Sequence, residues 1–190
     1  NLMGNVPKPS RLSGPHYSEN QDLSAQLAAG DRTGLFLSYL QQLQLRYLFD
    51  EVTDAVDAAN HARRYEDAGT ALFLNIPLYL YDSLARLATY ATATRTEQRR
   101  LVRQVNKNQQ KLKKWSQFAP ENSLHSWYLV EAEKCRVLKQ TAQAIDYYDL
   151  AIAAAKAHAY QQEEALAHEL AAKFYLSWDK QKIAASYLQS

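Results

Sequence analysis

The stretch Ala132-Glu133-Lys134-Cys135-Arg136-Val137-Leu138-Lys139-Gln140-Thr141-Ala142-Gln143-Ala144-Ile145-Asp146-Tyr147-Tyr148-Asp149-Leu150-Ala151 decides the fold. It contains no glycine and no proline, so nothing in it favours a strand turn. Small residues at Ala132, Ala144 and Ala151 flank the aromatic Tyr148, at offsets of 0, 12, 19 and 16 respectively. Two helices with a short link satisfy that spacing. Ala132 on the first and Ala144 on the second let the backbones approach closely. Tyr148 then fills the groove towards the next pair, and Ala151 keeps its face thin. Consecutive helices with short links are expected to pack antiparallel.

Small and aromatic residues at these offsets are the spacing of a tetratricopeptide-type helix hairpin. Forty residues on, the pattern recurs more loosely at Ala172, Ala184 and Leu188. An earlier hairpin carries Ala55, Ala59 and Ala62 in similar places. Alanine is common enough here for one such match to arise by chance; three matches at helix–turn–helix length are harder to dismiss. A period near 40 exceeds the 34 residues of the standard repeat. The expectation is an all-α, tetratricopeptide-like α-solenoid of antiparallel helix hairpins, about eight or nine helices in all.

Composition agrees. Of 190 residues, 55 are alanine or leucine and only 11 are valine or isoleucine, with five glycines and five prolines. β-sandwiches, barrels and parallel sheets draw on β-branched strands and glycine-rich turns. Alanine and leucine lose little on entering a helix. Residues 1–18 hold Gly4, Pro7, Pro9, Gly14 and Pro15 and read as a flexible lead-in or linker. Residues 19–190 read as the helical domain, a fragment of a longer solenoid. Helices are expected over Gln21–Ala29, from Asp31 or Thr33 to about Leu48, Thr53–Ala68, from Asn75 to about Ala91, and Thr96–Phe118. Four more are expected over Asn122–Leu138, Thr141–Ala159, Gln161–Trp178 and Lys180–Gln189. In the third, Asp54, Asp57, Arg63 and Arg64 are expected to face outward.

The chemistry-bearing patterns are few. Net charge is +2, which gives no global pull towards nucleic acid or an anionic membrane. The window Ala71–Ala91 is broken by Asn75, Pro77, Asp82 and Arg86 and is too short to span a bilayer, so no membrane insertion is expected. The single cysteine, Cys135, excludes an internal disulfide framework and a multi-cysteine zinc site. It fits a reducing, cytoplasmic setting, and its place beside Ala132 makes it a buried structural thiol rather than a nucleophile. No phosphate-binding glycine loop, HExxH or CxxC is present. Glu164 and His168 stand one turn apart and could share a metal, but no third ligand is evident; a surface ion pair accounts for them better. No catalytic residue, metal ligand or cofactor is assigned.

Two alternatives stay open. His168, or the bare His61, could serve as the histidine of a phosphotransfer component, although the small residues that such a bundle needs after its histidine are missing. Between Arg95 and Lys114 lie eight basic residues and one acid, Glu97. Arg99, Arg103, Lys107, Lys111 and Lys114 follow at steps of four and three, on one helix face. That face either meets an anionic ligand or is simply solvated, balanced by acids such as Asp50, Glu51, Asp54 and Asp57. No aromatic interleaving supports single-strand nucleic-acid binding, and no nucleic-acid partner is expected.

A longer resemblance builds on these residues. The run Trp115-Ser116-Gln117-Phe118-Ala119-Pro120-Glu121-Asn122 is followed by His125 and Leu129-Val130-Glu131-Ala132-Glu133. Ala144-Ile145-Asp146-Tyr147-Tyr148-Asp149 and Ala151-Ile152 come next. Then comes Ala165-Leu166-Ala167-His168-Glu169-Leu170-Ala171-Ala172-Lys173-Phe174-Tyr175. This resembles the helical region of large bacterial multi-sensor signal-transduction kinases, between their AAA-type ATPase and GAF domains. The likeness runs from about Phe73 to Leu188 and is absent from the first 18 residues. It implies a non-catalytic protein-interaction or scaffolding module that positions flanking ATPase, sensor and kinase domains of the same chain, or a signalling partner. The family's catalytic residues belong to those flanking domains, so none transfers to this segment. The motif usually continues past Leu188, so the chain reads as an excised piece. Its last helix, with Ile183, Tyr187 and Leu188, is then expected to expose an apolar edge that favours self-association.

Overall fold

A computed structural model describes residues 8–11, 13–14, 17–69 and 74–189. Almost everything described is helical, as the alanine and leucine excess requires, and two compact units divide between Ala93 and Thr94. Gly4, Pro7 and Pro15 of the expected lead-in, and the first residues of the Ala71–Ala91 window, lie outside the described residues.

In the first unit a short antiparallel ribbon pairs β1 (Ser13–Gly14) with β2 (Tyr17–Ser18). These residues fall within the expected lead-in. Tyr17 donates from its hydroxyl to Ser38 at 2.9 Å, and buried Ser10 donates to Glu51 at 2.8 Å. Helix α1 (Glu19–Ala29) ends on Gly30 in the left-handed region. Asp31 caps α2 (Arg32–Leu48), its carboxylate accepting from the Gly34 amide at 2.9 Å, which resolves the choice between Asp31 and Thr33. Leu35, Phe36, Leu40, Leu43, Leu45 and Tyr47 are all buried, so α2 is covered on more than one side. Helix α3 (Val52–Ala62) lies against it along a spine of buried Ala55, Ala58, Ala59 and Ala62.

The expected third helix does not run unbroken to Ala68. A 3-10 turn at Arg63–Tyr65 interrupts it before the one-turn α4 (Glu66–Gly69). Arg63 departs from the expected outward-facing pattern. Its guanidinium reaches inward to Asp82 at 2.6 Å and lies over the Tyr79 ring. Gly69 closes this segment because a side chain there would collide with the Phe36 ring. Helix α5 (Asn75–Ala88) packs on α2 and α3 and is buried nearly all round, Asp82 included.

The second unit holds α6 (Arg95–Phe118), α7 (Pro120–Val137), α8 (Thr141–Ala157), α9 (Gln161–Leu176) and α10 (Gln181–Leu188). Thr94 and Glu97 close a reciprocal capping box at the start of α6. Pro120 opens α7 at its first turn, where its missing N–H costs nothing. Each helix packs on its sequence neighbour, and α7 also meets α9.

One turn recurs through both units. Asp50, Lys139, Ala159 and Asp179 all have φ near +60°, and each next residue has φ between −83° and −93°. The amides of Glu51, Gln140, Tyr160 and Lys180 donate five residues back, to the carbonyls of Arg46, Cys135, Ala155 and Tyr175, at 2.8 to 3.1 Å. These are Schellman closures made without glycine. The residue that closes one helix is also the cap of the next, so a single conformation reverses the chain.

Candidate functional site

The hairpins α2/α3, α7/α8 and α9/α10 align on Glu51, Gln140 and Lys180. Eight residues before each stands Leu43, Ala132 or Ala172; four after stands Ala55, Ala144 or Ala184. All six are buried. Ala132, Ala144, Tyr148 and Ala151 are buried on the packed helices α7 and α8, and the Tyr148 ring lies 5.4 Å from Phe174 on α9. The Tyr148 hydroxyl donates to the buried Glu133, which Arg136 also grips with two nitrogens. These buried residues join neighbouring helices of the second unit.

The same alignment puts rings at the surface. Twelve residues before the caps stand Tyr39, Tyr128 and His168; seven after stand Ala58, Tyr147 and Tyr187. Tyr128 and Tyr147 have their centroids 6.1 Å apart, and so do His168 and Tyr187. Trp127 joins the first pair, 5.1 Å from Tyr128 and 6.0 Å from Tyr147, with the Lys113 ammonium over its face. Beneath them Gln109 donates to the Trp127 carbonyl at 3.0 Å and to Glu131 at 2.8 Å, and Lys134 pairs with Glu131 at 2.6 Å. Tyr187 stacks on Tyr175 and donates to Asp149 at 2.6 Å. In the first unit, where Ala58 offers no ring, Tyr39 stacks instead on His61 at 4.8 Å and on Tyr65 at 6.2 Å.

Trp127, Tyr128, Tyr147, His168 and Tyr187 are all half-buried. Burial, then the Glu131 charge, pushes the Tyr147 phenol up; burial and the Asp149 bond do the same for Tyr187. Both phenols stay neutral donors. The result is a set of fixed ring faces with polar tips, suited to apolar or aromatic side chains of a partner. Following small residues alone misses these positions, but a 40-residue offset through Tyr128/His168 and Tyr147/Tyr187 exposes them.

The remaining candidates are elsewhere. Arg99, Arg103, Lys107, Lys111 and Lys114 run exposed along α6, opposite the buried Val105, Asn108, Gln109 and Leu112. His168 has an enclosed, unpartnered Nδ1. Cys135 is buried, and burial together with Glu131 raises its thiol above the ordinary value, which disfavours a thiolate. Among the described residues, no three His, Cys, Asp or Glu side chains gather to hold a metal, and no helix is long and apolar enough to cross a membrane. Ile183 and Leu188 are exposed on α10, whereas Tyr187 is half-buried, with one ring face stacked on Tyr175. No family model, no curated protein and no solved structure matches this chain.

Proposed function

We propose that the chain is a non-catalytic interaction module of tetratricopeptide-like α-solenoid type, holding a protein segment against the ring faces of α7 to α10. One observation carries the reading. The ring pairs Tyr128–Tyr147 and His168–Tyr187 repeat the same 6.1 Å relationship in successive hairpins. Half-buried rings with ordered polar tips lose little entropy on binding, and aromatic anchors carry much of the energy of peptide recognition. The resemblance of Trp115–Tyr175 to the helical region of multi-sensor kinases makes the flanking domains of a signalling kinase the natural partners. Hairpins of this kind would set the distance between an ATPase and a sensor.

The experiment has two parts. Hydrogen exchange on the chain, with and without an added AAA-type ATPase or GAF domain from such a kinase, should protect α7, α8 and the Tyr187 region on binding. Tyr128→Ala with Tyr147→Ala should weaken that binding at least tenfold. Micromolar ATP binding by the chain alone would overturn a non-catalytic role. A stable phosphohistidine at His168 or His61, formed from a phosphorylated response regulator, would favour phosphotransfer instead.

A further inference from the structure

Helix α6 has 24 residues and spans about 36 Å. It packs on α7 through the stripe of Val105, Asn108, Gln109 and Leu112. Its other side is a convex ridge of exposed cations: Arg99, Arg103, Lys107, Lys111 and Lys114, with Arg100 beside them. None of these pairs with a carboxylate among the described residues. The one acid of α6, Glu97, is held at its N-terminal end by Thr94. Four residues beyond Lys114, and so in line with it, stands Phe118. It is 80% exposed, more than any other large apolar side chain among the described residues.

A row of unpaired cations that ends in a bare phenyl ring matches one kind of surface. We propose that this ridge lays the chain against an anionic phospholipid surface, with the cations at the headgroups and Phe118 at the acyl boundary. The proposal is independent of the ring faces on α7 to α10. A flat, laterally mobile layer of charge can meet every tip of a straight convex helix at once. An acidic peptide would meet this ridge through charge alone, because an exposed helix face offers no groove or strand edge to hold its backbone and leaves Phe118 unused. Single-stranded RNA needs rings between the cations on which bases can stack, whereas Phe118 lies past the last of them. Each basic side chain near an anionic leaflet adds a similar increment of attraction, and an apolar anchor adds to it.

The test is co-sedimentation of the purified chain with vesicles. One set is phosphatidylcholine alone; the other is about three parts phosphatidylcholine to one part phosphatidylserine. Binding should appear only with phosphatidylserine and should weaken from about 50 mM to about 300 mM salt. Arg103→Gln, Lys107→Gln and Lys111→Gln together should lower partitioning on the order of 100-fold, with the helical circular dichroism and melting unchanged. Phe118→Ser should lower it about tenfold, and Phe118→Leu should retain it. The proposal fails if no binding occurs at low salt, or if the triple variant partitions like the parent. It fails equally if polyuridylate or polyglutamate is bound while phosphatidylserine vesicles are not.

Discussion

Tyr148 on α8 donates its hydroxyl to Glu133 on α7, and both side chains are buried. The bond joins the two helices of one hairpin directly beside the alanine contacts that let them approach. Two nitrogens of Arg136 also donate to Glu133. Tyr148→Phe should therefore cost about 1–2 kcal/mol, because a buried carboxylate loses one donor of several. Tyr148→Ala adds a cavity beside Phe174 and should cost about 3–5 kcal/mol. Urea unfolding of the two variants separates the hydrogen bond from the ring.

Asp82 plays the corresponding part in the first unit. It is fully buried, and takes Arg63 at 2.6 Å and Arg86 at 2.7 Å. Asp82→Ala leaves two guanidinium groups facing a cavity, and should destabilise that unit by about 3–5 kcal/mol. Thermal melting monitored within residues 17–88 is the measurement. Loss below about 1 kcal/mol would mean that the pair contributes nothing beyond an exposed one.

The four left-handed turn residues give a prediction of the opposite sign. Lys139 and Ala159 hold φ near +60° with a Cβ in place. Lys139→Gly and Ala159→Gly should each stabilise by roughly 0.5–1 kcal/mol, since the strain removed exceeds the added chain entropy. Ala154→Gly, inside α8, should destabilise by about 1 kcal/mol. If all three destabilise alike, the turns do not hold these conformations.

His125 sets an acid limit. It is 4% exposed, stacks on Tyr160 at 4.2 Å, and its Nδ1 has no partner. Burial, aided by His158, pushes its imidazole down to about 4. The folded chain thus prefers neutral His125, whereas the unfolded chain takes up the proton near pH 6.5. Stability from this group is complete above about pH 6.5 and is lost as pH falls towards 4, by about 3 kcal/mol in all. Glu163, whose carboxyl burial raises, works in the opposite sense, so His125→Phe isolates the histidine. Melting temperature against pH should be flatter for His125→Phe between pH 4 and 6.5.

Much of the helix layout is legible from local pattern. Gly30 and Pro120 each follow the end of a helix, although Pro120 also opens the next; of the α6 stripe Leu101, Val105, Leu112 and Trp115, the middle two are buried and the outer two half-buried. The turns are less so. Glycine ordinarily announces a Schellman closure, but Asp50, Lys139, Ala159 and Asp179 adopt it under tertiary packing. Arg63 reads as a solvent-facing charge on the expected third helix because periodicity carries no information about a buried carboxylate 19 residues away. The ring row is half legible. Its 40-residue spacing is in the chain, but that Tyr128 meets Tyr147 depends on how α7 crosses α8.

By itself the sequence determined that this chain is helical, where most helices begin and end, and that one face of α6 is cationic. These follow from propensity, capping and periodicity, all local within a few turns. Only the tertiary structure decided that Asp82 and Glu133 are buried and paired, that Arg63 turns inward, and that Tyr147 and Tyr187 find ring partners one helix away. Those outcomes depend on the register between helices, which short-range spacing does not encode.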